Sequence, residues 1–382
     1  MNSNILELLK VPQISSERHY WIIRTNSGDY YEDFVLHQYI SIAWDYVTLA
    51  ILNNKSEDEI KRLISVYEKI TDDTIDLEDE EANDLSKGKV TAIYNKICRF
   101  VFEISKGDIV LIPSFNSDLI TIAEVVGDVY EAQNYVERYL EENPNTEIIP
   151  CPYFKRRKIN TLKTIKKGEM DIYLAKGFNS QHALSNMDDY SSYIDRTIYG
   201  IYMKNNSVHT TIHAGHPNGL TLRELVSLSS TLEQSAASLA DQCGVPFDSS
   251  EIEVKLNIHS PGLIELIGAL SGGGIILSLL IFSLNNLLNG GKLSISFKKD
   301  STTGDINFSV NSESTGLKGH EEEHSKLDLK EKTELIQLVN ELDIKSPEII
   351  SSILNGNKIT PEMISEAQAG QISSSESEDS VQ

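Results

Sequence analysis

The sequence predicts a modular α+β protein: an N-terminal β-barrel with inserted helices, then a small α/β domain with an apolar helical hairpin, then a helical and disordered tail. Three observations lead to this prediction. Residues 18–170 alternate short runs of β-branched and aromatic residues with amphipathic helical periods. Residues 263–288 form one long apolar stretch between two strand-like segments. Residues 368–382 are acidic and serine-rich, a composition typical of disorder.

The chain is long enough for two or three domains, and it is acidic enough to repel a polyanion at long range. It has 382 residues, 40% of them hydrophobic, and a formal net charge of -23. Its three cysteines, Cys98, Cys151 and Cys243, include no CxxC pair, which is typical of a reduced compartment. The N-terminal residues lack the basic and apolar regions of a signal peptide. We therefore expect a cytoplasmic protein, with membrane association as the alternative.

Strand-like and helix-like segments alternate along the first half. Runs rich in β-branched and aromatic residues predict strands, and apolar residues at helical spacing predict helices. The predicted strands are residues 19–25, 40–44, 108–113 and 119–128, and the predicted helices are residues 30–39, 56–70 and 88–104. This order, with helices inserted after the first two strands, suits a small closed barrel.

Several motifs of this half are similar to those of a known family. They are Tyr20–Arg24 with Gly28–Tyr30, Ile40–Asp45, Phe102–Val110, Tyr153–Ile159 and the helix-like Ser180–Ser185. Together they resemble the PUA-like (EVE-type) domains that front Mrr-like type IV restriction proteins, which read modified nucleic acids. The resemblance covers about residues 18–200. It implies a reader domain at residues 18–170, a connecting helical segment at residues 171–205, and a role in restriction or anti-phage defence in a prokaryotic cell.

Aromatic side chains are the first candidates for ligand binding. PUA-like readers stack a flipped or single base in an aromatic cage, and each stacked base contributes about 1–3 kcal/mol. Trp44 supplies a flat wall, and the adjacent Asp45 supplies a hydrogen-bond acceptor. Phe115 and Trp21 complete the predicted ligand-binding set. The alternative is that both tryptophans belong to the core of the barrel.

A basic run is the candidate for phosphate binding. It consists of Lys155, Arg156, Arg157 and Lys158, directly after two aromatic residues. Seven basic residues occur between Lys155 and Lys167 with no acid among them, so the local charge differs from that of the chain. Such a run suits a phosphate backbone. The alternative is a solvated basic face without a ligand.

The second half predicts a separate α/β domain at residues 206–312. Residues 251–259 and 292–299 have strand patterns, and the apolar stretch 263–288 lies between them. Gly272–Gly274 interrupt this stretch, which predicts a hairpin of two short helices that is buried in the domain or in an oligomer. Insertion into a membrane is the alternative. A polar linker with short helices at residues 313–367 and the tail at 368–382 complete the chain.

The sequence favours recognition of a nucleic-acid base or nucleotide without catalysis. No Walker A loop and no serine or cysteine hydrolase motif is present. No cofactor and no metal are predicted, and the expected partners are a nucleic acid or nucleotide and further copies of the chain. Two alternatives remain: a membrane-associated defence effector with a nucleotide-sensing head, and an enzyme with an unrecognised nuclease site.

Overall fold

Two compact units make up the computed structural model of the protein. The N-terminal unit consists of residues Glu17–Ile198, and the C-terminal unit combines the first residues of the chain with those from Tyr199 onward. The structure describes residues 10–71, 80–179, 182–214, 221–243, 247–257, 262–270, 273–288, 292–299, 306–313 and 344–345.

Seven strands and seven α-helices are described in the N-terminal unit. The strands are β1 (Tyr20–Ile23), β2 (Tyr39–Ile42), β3 (Ile109–Pro113), β4 (Leu119–Val125), β5 (Tyr130–Glu131), β6 (Lys155–Lys166) and β7 (Leu184–Asn186). The helices are α1 (Tyr31–Leu36), α2 (Leu49–Asn54), α3 (Glu57–Thr71), α4 (Glu80–Cys98), α5 (Tyr135–Glu142), α6 (Ile172–Gly177) and α7 (Ser191–Ile198). A π-helical turn, Arg99–Glu103, follows α4.

The seven strands form one curled half-barrel sheet in the order β2-β6-β4-β3-β1-β7, with β5 also paired to β6. The α+β class and the predicted positions of β1 to β4 are therefore confirmed, whereas the sheet is open rather than closed. One face carries Ile22 and Leu111 and packs against Ile194 of α7. The other face carries Val110 and packs against Ile97 of α4, so the sheet separates two apolar cores.

Asp108 connects the elements at the start of β3. Its carboxylate accepts hydrogen bonds from the Trp21 indole Nε1 at 3.0 Å and from the backbone N–H groups of His19 and Ser105 at 3.1 and 2.9 Å. Gly107, directly before it, has a φ of +91°, which glycine adopts without strain. The Gly-Asp step thus turns the chain into β3 and satisfies three donors at once.

The segment 171–205 differs from the predicted helical connection. It contains α6 and α7, but Leu184–Asn186 is strand β7, which pairs with β1 in the N-terminal sheet. The expected helix at residues 180–185 is therefore wrong for its described part. Although β7 is an edge strand, Leu184 is buried because it packs in the apolar core that contains Trp21 and Ile23. Ile201–Lys204 at the end of the segment is a strand of the C-terminal unit.

The C-terminal unit has a mixed architecture. Its strands are β8 (Ile201–Lys204), β9 (Ser207–Ala214), β10 (Glu253–Asn257), β11 (Gly262–Ala269), β12 (Lys292–Lys299), β13 (Ile306–Glu313) and β14 (Ile344–Lys345), and its helices are α8 (Leu222–Cys243) and α9 (Gly273–Leu288). The order β10-β11-β9-β14, with β8 also on β9, forms one sheet, and β12 pairs with β13 separately. Apolar residues of α8 and α9 pack against Ile212 and Ile264 of the sheet.

The predicted helical hairpin at residues 263–288 is wrong. Gly262–Ala269 is the strand β11, which lies between β9 and β10, and only Gly273–Leu288 is helical. A central strand buried on both faces reads as a continuous apolar run, which periodicity does not distinguish from a helix. Glu265 is tolerated there because its carboxylate contacts the His209 ring at 3.2 Å. Gly268 allows the start of α9 to lie close to β11, since a Cβ at this position would lie 2.7 Å from the Gly273 backbone.

Among the described helices, none has both the length and the apolar character needed to span a membrane. The longest apolar helix, α9, has 16 residues. The helices expected at residues 328–342 and 346–355, and the tail at 368–382, lie outside the described residues.

Leu280 of α9 tests the packing of the C-terminal unit. Its side chain is buried in the apolar core, so Leu280→Ala should lower the free energy of unfolding by about 2–5 kcal/mol, because it leaves a cavity. Leu280→Lys should be more damaging, because it buries an unpaired charge. Chemical denaturation of the full chain measures both. Leu222→Ala is the matched control, since Leu222 is 78% exposed on α8. Equal effects of Leu222→Ala and Leu280→Ala would contradict this packing.

Candidate functional site

The predicted ligand-binding residue Trp21 is a core residue. It is 2% exposed, and its indole N–H is bound to Asp108. Its ring packs in the apolar cluster between the sheet and α4. A base cannot stack on this ring without opening the unit, so the ligand-binding assignment of Trp21 is wrong.

Trp44 and Asp45 occupy a partly exposed turn directly after β2. Trp44 has a φ of +66°, a conformation that costs a bulky residue about 1–3 kcal/mol and persists only when neighbours enforce it. The enforcing neighbour is the buried Lys155, whose Nζ donates to the Trp44 carbonyl at 2.8 Å. Asp45 accepts from the Phe154 N–H at 2.9 Å and from Lys155 at 3.4 Å. The carboxylate of Asp45 is therefore engaged in holding this turn.

Phe115 lies apart from these residues, in the turn between β3 and β4. Its side chain is 63% exposed, and the next two residues both have positive φ. Gly28 packs against its backbone so closely that a Cβ on Gly28 would lie 2.4 Å from the Phe115 nitrogen. The structure thus displays this ring at the surface but does not bring it into contact with Trp44.

Three of the four predicted phosphate-binding residues are buried. Lys155, Arg156 and Arg157 are 0%, 2% and 4% exposed, and they lie in the first part of β6, which pairs with β2 and β5. Arg156 is sandwiched between the rings of Tyr39 and Tyr135, at 4.1 and 3.7 Å from their centroids. Its guanidinium also donates to backbone carbonyls of the preceding loop. These three residues are structural, and the prediction that they bind phosphate is wrong.

Arg157 closes the end of the helical segment that carries α4. Its Nε donates to the Phe100 carbonyl and its Nη2 to the Val101 carbonyl, both at 2.8 Å. The C-terminal carbonyls of a helix lack partners within the helix, so a buried arginine here satisfies them. Lys158 is the exposed member of the run.

Replacing these two neighbours separates the structural from the surface role. Arg157→Ala should lower the free energy of unfolding by at least about 1–3 kcal/mol, because two buried carbonyls lose their donor. Lys158→Ala should change it by less than about 0.5 kcal/mol. Thermal unfolding of both full-length variants provides the comparison. If Arg157→Ala melts like Lys158→Ala, the guanidinium does not hold the helix end.

A cleft of about 520 Å³ in the N-terminal unit is lined by a different set of basic side chains. Lys96 and Arg99 come from the end of α4 and its π-helical turn, Lys176 from the end of α6, and His182 from the residues before β7. Lys96 and Lys176 lie in the last turns of their helices, where the helix dipole stabilises a cation. None of the residues that the structure places in the lining carries a carboxylate.

Carboxylates near the cleft are oriented toward other partners or only weakly paired. Asp188 follows β7, and its two oxygens contact His19 and the Tyr20 N–H, both at 2.8 Å. Glu103 approaches Arg99 at 3.8 Å, and both side chains of this pair are largely solvent-exposed, so the attraction is weak. The cleft therefore retains positive charge within an acidic chain.

Lys96 has an unusual environment among these cations. Burial and, to a smaller extent, the neighbouring Arg99 lower the pKa of its ammonium. Its Nζ also lies 5.8 Å from the centroid of the Trp44 ring. Trp44 is thus adjacent to the cleft through Lys96, although it does not line it. Positively charged groups that disfavour one another gain stability when an anion binds between them.

The remaining lining provides an apolar and neutral wall. Ala92, Leu184, Met187 and Tyr190 contribute apolar or aromatic surface, and Asn95 contributes an amide. Gly177 forms part of this wall, where a Cβ would lie 2.4 Å from the Met187 methyl group. Sequence reasoning missed the cleft because its residues come from three separated segments with no shared motif. The two basic residues at the end of the 88–104 helical period were the only local signal.

Comparison of the chain with protein families, characterised proteins and solved structures finds no match.

The lowered pKa of Lys96 predicts a pH dependence of anion binding. An anion binds the charged ammonium, so affinity for inorganic phosphate should fall as pH rises through this pKa, earlier than it would for an ordinary lysine. Lys96→Arg should retain affinity up to about pH 10, because a guanidinium stays charged. Phosphate titrations of the full chain from about pH 8.5 upward, where inorganic phosphate is almost entirely the dianion, measure this. Parallel profiles for wild type and Lys96→Arg would exclude the ammonium from the site.

Proposed function

We propose that the N-terminal unit is a PUA-like recognition module without catalytic activity, which binds a nucleotide or a nucleic-acid base in the cleft beside Trp44. The observation that carries this proposal is the grouping of Lys96, Arg99 and Lys176 around a cleft without lining carboxylates. Lysine and arginine are the standard partners of phosphate. The basic run on β6 does not contribute, because its first three residues are buried.

The shape of the lining supports a ligand with an anionic and a flat neutral part. Cations are grouped at the helix ends, whereas Tyr190 and Ala92 provide accessible aromatic and apolar surface that suits a base or ribose. The curled half-barrel is compatible with the resemblance to PUA-like domains seen in the motifs of residues 18–200. Restriction or anti-phage defence in the cytoplasm is the setting that this resemblance suggests.

The proposal is tested by the molecules that co-purify with the full chain. Nucleotides or oligonucleotides should be released on denaturation of the wild type and be identified by mass spectrometry. A Lys96→Gln/Lys176→Gln variant should release at least about tenfold less, because each charge-assisted contact contributes about 1.5–3 kcal/mol. Lys158→Gln, outside the cleft, is the matched control. A wild type that releases none and binds neither nucleoside phosphates nor oligonucleotides would exclude this function.

A further inference from the structure

The cleft has the size of a small-molecule site. Its volume of about 520 Å³ lies within the range of about 300–1,000 Å³ typical of pockets for cofactors and metabolites. Its positive groups come from three elements that converge on one place, rather than from a row along a strand or helix. A site that follows a nucleic-acid strand needs a groove several nucleotides long, with charge along its whole length.

The N-terminal unit as a whole carries an excess of acidic residues. Residues 17–198 contain 21 Lys and Arg against 32 Asp and Glu, a net charge of -11. The longest basic run of the unit, Lys155–Lys158, is buried in three of its four positions. The net charge of the unit therefore repels a long strand, which carries one negative charge per phosphate. A single nucleotide places all of its charge against the three cations.

The cations also match the charge of a terminal phosphate. A phosphate monoester carries about -1.5 to -2 at neutral pH, whereas an internal phosphodiester carries one negative charge. Lys96, Arg99 and Lys176 together supply three positive charges in a small volume. Mutual repulsion among them is better offset by a doubly charged group than by a single charge.

We propose that the ligand of this cleft is a free nucleoside phosphate rather than a nucleic-acid strand. This inference rests on the proposed function and narrows it. Lys96, Arg99 and Lys176 bind the phosphate, and the accessible surface of Tyr190 and Ala92, with the Asn95 amide, receives the nucleoside.

Equilibrium titrations of the full chain with three kinds of probe test the inference. The probes are the four ribonucleoside 5′-monophosphates, the corresponding nucleosides, and circular single-stranded DNA, which has no terminal phosphate. At least one monophosphate should bind at least about tenfold more tightly than its nucleoside, since it gains a charge-assisted contact. Arg99→Gln should remove most of this difference, and Lys158→Gln should leave it unchanged.

The outcomes separate the inference from the proposed function. Circular DNA that binds more tightly than any monophosphate, with affinity reduced by Arg99→Gln, would overturn the inference and leave nucleic-acid recognition at this cleft intact. Equal binding of nucleoside and monophosphate would overturn the role of the cations. Absence of binding by all three probes would overturn both. A thermal melt of Arg99→Gln that matches the wild type ensures that lost binding is not lost folding.

Discussion

The guanidinium groups of Arg156 and Arg157, buried in the strand β6, hold together elements that are far apart in sequence. The Arg157 guanidinium donates hydrogen bonds to two carbonyls of the π-helical turn after α4. The Arg156 guanidinium lies between two tyrosine rings and donates to the loop before β6. Lys155, next to them, donates a hydrogen bond to the carbonyl of Trp44, whose backbone is strained by its positive φ. A buried charge is stable only when its donors are satisfied, so these contacts determine where the connected segments lie.

The cleft depends on these same contacts, although none of the three residues lines it. Arg99 begins the π-helical turn whose carbonyls accept hydrogen bonds from Arg157. Lys96 lies about one turn earlier, near the ring of Trp44, and Lys155 donates to the backbone carbonyl of Trp44. The buried basic run therefore has an indirect role in the proposal, because it positions the helix end that carries the proposed phosphate-binding residues. The basic run in the sequence is thus connected to the cleft, but its own buried side chains do not line it.

Local patterns predicted much of the fold, because alternation and helical spacing reflect which face is buried. The predicted helix at residues 56–70, for example, is α3, and reciprocal hydrogen bonds between Ser56 and Glu59 cap its start. The strand β11 was missed because burial on both faces removes the alternation. The burial of Arg156 was missed because a cation can be buried only when distant tyrosines and carbonyls surround it, and no local window contains them. Lys96, Arg99 and Lys176 were missed for the same reason, because they come from separate segments of the chain. Ligand binding by Trp44 stays a prediction.

The first described residues of the chain belong to the C-terminal unit. The Ile14 N–H donates to the Met203 carbonyl, and the Met203 N–H donates to the Pro12 carbonyl, both at 2.8 Å, so this segment lies along β8. The N-terminal unit is therefore an insertion within the other one in chain order. During synthesis, residues 10–16 must wait for nearly two hundred further residues before their partner strand exists. Proteolytic loss of this segment would leave the backbone groups of β8 unpaired on that side, at an edge to which another chain can pair.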